Sequence, residues 1–227
     1  MTRPSRVATA AGVEPLMAGG APVDLERLVP GPGPWEVEIG FGKGRFLLRR
    51  AAERGERRFL GVELASEYFR LVARRLRRRA LANVALLEGE AQYLLGAVLP
   101  RGFAERVHVY FPDPWPKSRH QRRRLFSPTS VDLVLGLLAP GGSLDFATDF
   151  LTYGEEVRQL LESYPGARVE VLGAGWPEGP RTNYEAKYVQ EGRPILRLTV
   201  RLERANGPHP AGLRALLCGA TAAEPEA

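Results

Sequence analysis

The chain has 227 residues and a formal net charge of +6, which suits one domain with a single large core and favours an anionic partner. Its lone cysteine, Cys218, excludes an internal disulfide and a cysteine-built metal site, and no metal is expected. No apolar run reaches the roughly 20 residues needed to cross a bilayer, and the first residues lack the apolar core of a signal peptide. The expectation is a cytoplasmic protein with no membrane partner, monomeric or homodimeric.

Residues 1–34 carry scattered Pro, Gly and Ala and end in Pro30-Gly31-Pro32-Gly33-Pro34, which reads as a loosely ordered arm. From Trp35 an apolar strand, a turn and an amphipathic helix alternate. Strands are expected at 35–39, 58–63, 84–88, 106–111 and 143–148, with helices at 43–54, 66–81, 91–99 and 127–138. Ser127-Pro128 would start the last of these, serine as N-cap and proline at the first helical position. This alternation predicts an α/β fold, a mostly parallel sheet with helices on both faces. A helix at 151–164 precedes two closing strands, 168–172 and 195–202, expected as an antiparallel pair that makes the sheet seven-stranded. The domain would span 35–204, and 205–227, rich in Ala, Gly and Pro, would be a disordered tail.

Three acidic positions punctuate the strand ends. Glu38-Ile39-Gly40-Phe41-Gly42-Lys43-Gly44 lies where the first strand turns into the first helix, and glycines there let a ligand approach the backbone. A dinucleotide fingerprint would need a small residue where Arg45 stands. The pattern acidic-x-Gly-x-Gly-x-Gly is instead the form typical of S-adenosylmethionine (SAM) binding, and Glu38 suits that molecule's cationic methionine end. Glu63 ends the second strand, where an acid can accept from both ribose hydroxyls. Glu90 follows the third, placed to reach an adenine amino group or to cap the next helix.

The most informative stretch is Phe111-Pro112-Asp113-Pro114-Trp115-Pro116-Lys117, followed by Arg119-His120-Gln121-Arg122-Arg123-Arg124. Three prolines stiffen the loop and remove three backbone donors. It presents a carboxylate and an indole beside arginines, a set able to hold a nucleobase and the phosphates next to it. Only Lys43, Lys117 and Lys187 are lysine among 32 basic residues, and each falls in a motif. A proline-rich turn before a solvated basic helix is the blander alternative.

With these blocks and Thr182-Asn183-Tyr184-Glu185 before Gly192-Arg193-Pro194-Ile195, the sequence resembles the bacterial tRNA (guanine-N7-)-methyltransferase family. The resemblance runs from Glu38 to about Leu202. It implies a class I methyltransferase (Rossmann-like) fold, SAM as donor, and guanosine 46 of the tRNA variable loop as acceptor. By matched position it implies cofactor contacts from Glu38, Gly40, Gly42, Gly44, Glu63 and Glu90, and Asp113 as the residue closest to the chemistry. Lys117, Asp149, Thr182, Asn183, Tyr184 and Glu185 would contact substrate, and Arg119, His120, Arg122, Arg123 and Arg124 would contact RNA. Similar proteins tend to have Asp at the position of Glu90.

Two of these assignments have structural competitors. Thr182 and Glu185 form a capping box for a helix over 183–191 ending at Gly192, and both roles are expected to hold. Asp149 could cap the helix that follows it. The arginines Arg70, Arg74, Arg77 and Arg78 read as a solvated helix face. Guanine N7 has an in-plane lone pair and no proton, so methylation there needs no general base and rests on positioning and electrostatics. Trp115 could stack on a base or pack the loop. The rivals are a non-catalytic RNA-binding protein on a methyltransferase fold, a nucleotide-dependent oxidoreductase, and a methylase acting on another nucleic-acid base.

Overall fold

The computed structural model describes residues 5–16 and 22–203. Its strands are β1 (Arg6–Ala8), β2 (Val13–Pro15), β3 (Trp35–Ile39), β4 (Arg58–Glu63), β5 (Val84–Glu88), β6 (Ala104–Tyr110), β7 (Leu138–Thr148), β8 (Ala167–Val171) and β9 (Leu196–Leu202). They form one sheet in the order β2-β1-β5-β4-β3-β6-β7-β9-β8. The five strands from β5 to β7 are parallel, whereas β9 pairs antiparallel with both β7 and β8.

The sheet therefore has nine strands among the described residues, not seven, and the extra pair corrects the reading of 1–34 as a loose arm. β1 docks antiparallel on β5 and carries β2 outside it. Arg6 pairs with Glu88, which also accepts from the Ser66 hydroxyl, and its guanidinium lies 5.4 Å from the Phe69 ring centre. Strands of three residues are too short to show a period; their stability comes from the edge they cover. Asp24 caps the short helix α1 (Leu25–Leu28) by accepting from the amides of Glu26 and Arg27. The expected tail at 205–227 lies outside the described residues.

Helices α2 (Arg45–Glu53) and α3 (Ser66–Arg78) fall within their predicted spans. The helix expected at 91–99 is α4 (Ala91–Tyr93) continued by a π-turn over Leu94–Val98, where Leu99 N–H reaches back to the Leu94 carbonyl at 2.8 Å. The helix expected at 127–138 shrinks to α5 (Val131–Leu135). Ser127 is not its cap: its hydroxyl bonds the Ser130 hydroxyl at 2.7 Å, and Ser130 bonds the Leu125 carbonyl, so the first turn is spent on local side-chain bonds. Helices α6 (Leu151–Glu162) and α7 (Asn183–Gln190) follow. Gly192, in left-handed backbone, ends α7 in a Schellman motif, with Gly192 N–H to Val189 and Arg193 N–H to Tyr188.

The two sheet faces differ in chemistry. One buries Val37, Val62, Leu87, Val107 and Phe146 with Leu94, Val134 and Tyr153 in a large apolar core. On the other, α2 and α3 cover β4 and β5 through Leu47, Phe59, Phe69 and Leu76. Beside that apolar half, the same face of β3, β6 and β7 carries Glu36, Glu38, His108, Tyr110 and Asp145, all buried. Glu36 is hydrogen-bonded by Arg50 and by His108, the latter at 3.2 Å, and forms an ion pair with Arg57 at 3.1 Å. His108 Nδ1 meets the Tyr110 hydroxyl at 2.9 Å, and Arg181 donates to that hydroxyl at 2.6 Å and to Asp145 at 2.7 Å. Burial holds His108 below its usual range, so Nε2–H donates to Glu36 and Nδ1 accepts from Tyr110.

Burial alone would raise Glu36, yet the His108 and Arg50 bonds hold it at about 2. Its stabilisation is therefore complete above the unfolded carboxylate range and is lost as pH falls toward 2. Replacing Glu36→Gln should destabilise the fold at pH 7 by about 3–5 kcal/mol, because Arg50 and Arg57 lose their buried counter-charge. Urea unfolding from pH 7 down to 3 should give a flatter curve for the variant than for the wild type; parallel curves would contradict the assignment.

Candidate active site

A cavity of about 1380 Å³ opens where the strand order reverses between β3 and β6, the topological switch point of such a sheet. Each parallel strand delivers a residue to it: Glu38 from β3, Glu63 from β4, Glu90 beyond β5, Asp113 beyond β6 and Asp149 beyond β7. The N-terminal turn of α7 closes one side with Thr182, Asn183 and Tyr184. Arg45 Nη1 donates to Asn183 Oδ1 at 2.9 Å and so ties α2 to α7 across the rim.

The glycine turn works through its backbone. Gly40, Gly42 and Gly44 have φ of 78°, 50° and 70°, a region costly for any residue with a Cβ. Glu63 braces the turn, its Oε2 accepting from Gly42 N–H at 2.8 Å and its Oε1 from Ala65 N–H at 2.9 Å. A carboxylate offers about four acceptor directions, so capacity remains toward the cavity. Glu38 is different: it is buried, and its Oε2 has no hydrogen-bond partner. Burial, with a smaller contribution from the Glu63 charge, pushes its carboxyl up to about 8. Glu90 caps α4 by accepting from Gln92 and Tyr93 N–H at 3.2 and 2.8 Å, and it lines the cavity at the same time.

The proline loop is strained and clamped. Phe111 and Trp115 have φ of 53° and 40°, each costing of order 1–3 kcal/mol for a non-glycine residue. Arg124 holds the loop: its Nε donates to the Pro114 carbonyl at 2.8 Å, its Nη1 pairs with Glu156, and its guanidinium sits 4.7 Å from the Tyr153 ring centre. Asp113 projects exposed into the cavity. Trp115 is half-buried, with His120 edge-on at 5.7 Å and the Arg123 guanidinium 5.0 Å from its ring centre.

Comparison with known proteins decides the family. A methyltransferase family model matches residues 32–198. A tRNA (guanine-N(7)-)-methyltransferase from Nitrosococcus oceani is 34% identical over 177 residues, covering 78% of this chain and 75% of its own. Its counterpart from Leifsonia xyli subsp. xyli is 38% identical over 189 residues, covering 81% and 82%. The chain belongs to the tRNA (guanine-N7-)-methyltransferase family. Among solved structures, the 16S rRNA methyltransferase KamB aligns with a TM-score of 0.61 at 14% identity, covering 88% of this chain and 100% of its own, which shows the class I methyltransferase fold. A 16S rRNA adenine methyltransferase from Catenulisporales acidiphilia, solved with SAM, gives 0.57 at 16% identity, covering 89% and 99%.

Several residues that the family resemblance assigns to ligands have other duties here. Arg124, expected to contact RNA, is buried at 7% exposure and holds the loop. Glu185 is fully buried, with Arg181 N–H bonded to its Oε2 at 2.7 Å and Arg197 Nε to its Oε1 at 2.6 Å, so it does not face the cavity. Thr182 does cap α7, accepting from Glu185 N–H at 3.1 Å, but the return bond goes to Arg181, one residue before the cap. Asp149 is not a cap; Phe150 holds that position, and Arg193 lies 3.8 Å from the Asp149 carboxylate. Lys117, Arg119 and His120 lie outside the cavity wall, whereas Arg122 and Arg123 line it. Gly44 seats α2 against Val72 at the edge of a neighbouring groove.

Sequence reasoning missed the floor beneath the cavity: Glu36, His108, Tyr110, Asp145, Arg181 and Trp176, over whose ring Arg181 lies at 3.8 Å. The available signal was polar residues at period two in strands otherwise apolar on both faces. Lys43, Lys187 and Tyr188 also line the cavity. Among the described residues no cluster of His, Cys, Asp or Glu could hold a metal, and no helix is long and apolar enough to cross a membrane.

The Arg124 clamp predicts a local effect. In Arg124→Ala, amide exchange at Phe111 and His120, whose N–H groups bond the Ala147 and Lys117 carbonyls at either end of the loop, should rise at least about tenfold, since the strained loop loses its external clamp. Arg122→Ala should leave those amides unchanged. Equal exchange in both variants would show that the prolines suffice.

Proposed function

We propose that this chain transfers the methyl group of SAM to N7 of guanosine 46 in the tRNA variable loop, in the cytoplasm. The observation that carries the reading is one cavity holding a buried carboxylate with an unpartnered oxygen, Glu38, and an exposed carboxylate on a clamped loop, Asp113. The names of the relatives support the substrate.

The site fits the cofactor. Orphaned Glu38 Oε2 is matched by a cation, and SAM carries both an ammonium and a sulfonium. Glu38 and the glycine turn would hold the methionine end, and Glu63 the ribose. When bound, SAM supplies a methyl group activated by the positive sulfur. The protein's own residues then align the acceptor. Asp113 accepts hydrogen bonds from guanine N1–H and the 2-amino group, and its charge favours the purine as it becomes cationic. No residue need remove a proton, because N7 has none. Holding the two reactants in line can supply on the order of 7–11 kcal/mol, which gives the loop's rigidity its use. Tyr184, 58% exposed at the rim, offers a face to the base, and Arg122 and Arg123 meet the neighbouring phosphates. The target nucleotide must be turned out of the folded RNA to enter.

Nuclease digestion and mass spectrometry of tRNA incubated with labelled SAM should show 7-methylguanosine, and none when the variable-loop guanosine is replaced. Asp113→Ala should lower kcat by at least about 100-fold while SAM still binds in calorimetry. Unchanged turnover would remove Asp113 from the chemistry.

Glu38 also predicts a proton balance. Its carboxyl lies at about 8 without ligand, so a cation binds its ionised form and expels a proton. At pH 7 the wild type should release roughly one more proton on binding SAM than Glu38→Gln, measured by calorimetry in two buffers of different ionisation enthalpy. Wild-type affinity should also rise from pH 6 to pH 8 relative to the variant. Identical proton release would contradict the placement of the cofactor's charge at Glu38.

A further inference from the structure

Outside the cavity, a groove of about 660 Å³ runs between α2 and α3. Its walls carry Arg45 and Arg49 from α2, and Arg75, Arg78 and Arg79 from the C-terminal end of α3, against a single carboxylate, Glu53. The spacing explains the grouping: positions 45 and 49 are one turn apart on α2, and 75, 78 and 79 share one face of α3. Leu48 and Ala52 form the small apolar floor.

What sets the groove apart is the convergence of five guanidiniums from two helices on one carboxylate. Arginines built into the fold find carboxylates, as Arg50 and Arg57 do with Glu36, Arg101 with Asp132, Arg124 with Glu156, Arg181 with Asp145 and Arg197 with Glu185, whereas exposed ones such as Arg70, Arg74 and Arg77 take part in no ion pair among the described residues. In the groove, Arg45, Arg75, Arg78 and Arg79 take part in no ion pair among the described residues, and Arg49 has only a 4.0 Å approach to Glu53. Arg49 Nε is buried without a hydrogen-bond partner. Arg75 is fixed by its bond to the Lys43 carbonyl at 2.7 Å, so it is held in place and keeps its charge. Complementing the α3 dipole would account for one or two basic residues in the last turn, not for arginines converging from two helices.

Arg45 lines both this groove and the methyl-transfer cavity. A strand of nucleic acid whose base enters the cavity is thus led past Lys43 and Arg45 into the groove. We infer that the α2–α3 groove seats the phosphodiester backbone of the same RNA, at nucleotides away from the methylated one. The guanidiniums donate to phosphate oxygens and replace condensed counterions. The inference rests on RNA being the substrate and adds where its flanking backbone lies. Arg70 and Arg77, on the opposite face of α3, serve as its internal control.

The test is equilibrium binding of fluorescent full-length tRNA across a potassium chloride series. Arg78→Ala/Arg79→Ala should weaken binding about tenfold and reduce the slope of log Kd against log salt by roughly 1–2. Arg70→Ala/Arg77→Ala should change neither by more than about twofold, and SAM affinity should be the same in all variants. Arg49→Ala repeats the measurement if the double variant is poorly folded. Equal losses in groove and control variants, or an unchanged slope, would overturn the inference. If groove variants lose tRNA binding but wild type makes no 7-methylguanosine, the groove stands and the proposed reaction falls.

Discussion

A loop that begins and ends in unfavourable backbone geometry has to be held from outside, and Arg124 does the holding. Pro112, Pro114 and Pro116 narrow the loop's freedom but also strip it of amide donors, so it cannot tie itself down by backbone bonds of its own. Phe111 N–H anchors its start to the Ala147 carbonyl of β7 at 2.7 Å. The Phe111 ring packs edge-on against Tyr188 at 5.6 Å, and the far half of the loop is tied to the body through the Pro114 carbonyl, the Arg124 guanidinium, Glu156 and Tyr153. Both of the last two belong to α6, which packs on the apolar face of the sheet. The position of Asp113 is thereby coupled to the main core, and the strain at Phe111 and Trp115 is offset by contacts that lie outside the cavity.

What could be read from residues alone divides along physical lines. The parallel strands were legible because each carries apolar residues on at least one buried face, nearly continuous in β5 and at every second position in β3, and the glycine turn because positive φ narrows the choice of residue. Glu38, Glu63 and Asp113 share one cavity because strand ends and crossovers converge there. The β1–β2 hairpin was not legible, since its pairing partner β5 lies some 80 residues away and three-residue strands carry no pattern. Arginine defeated residue-type reasoning most clearly. Arg122, Arg123 and Arg124 are identical in sequence terms, yet two line the cavity and the third is a buried clamp. The difference is set by Glu156 and Tyr153, which come from a helix far along the chain. Glu185 hid in the same way behind Arg197.

The same pairing logic separates the chain's structural cations from its ligand-facing ones. A guanidinium is buried at least cost where carboxylates or carbonyls take up most of its five donors in matched geometry. Where the fold supplies those acceptors, as around Arg50, Arg181 and Arg197, arginine welds strands and helices together. Where it supplies few, as along the α2–α3 groove, guanidinium donors stay open to the phosphates inferred above.

Glu36 and Glu38 make the corresponding contrast among acids. They stand two residues apart on one face of β3, both buried, and differ only in what surrounds them. Glu36 is saturated by Arg50, Arg57 and His108 and lies at about 2; Glu38 faces the cavity with an unmatched oxygen and lies at about 8. A carboxylate whose only role was structural would be expected to resemble the first, since an unsatisfied buried oxygen costs about 1–3 kcal/mol or more. The fold keeps Glu38 in that costly state a few ångströms of strand away from a fully compensated twin. The unpartnered oxygen of Glu38 lies at the wall of the cavity that Asp113 also enters, which is where the proposed cationic cofactor would meet it.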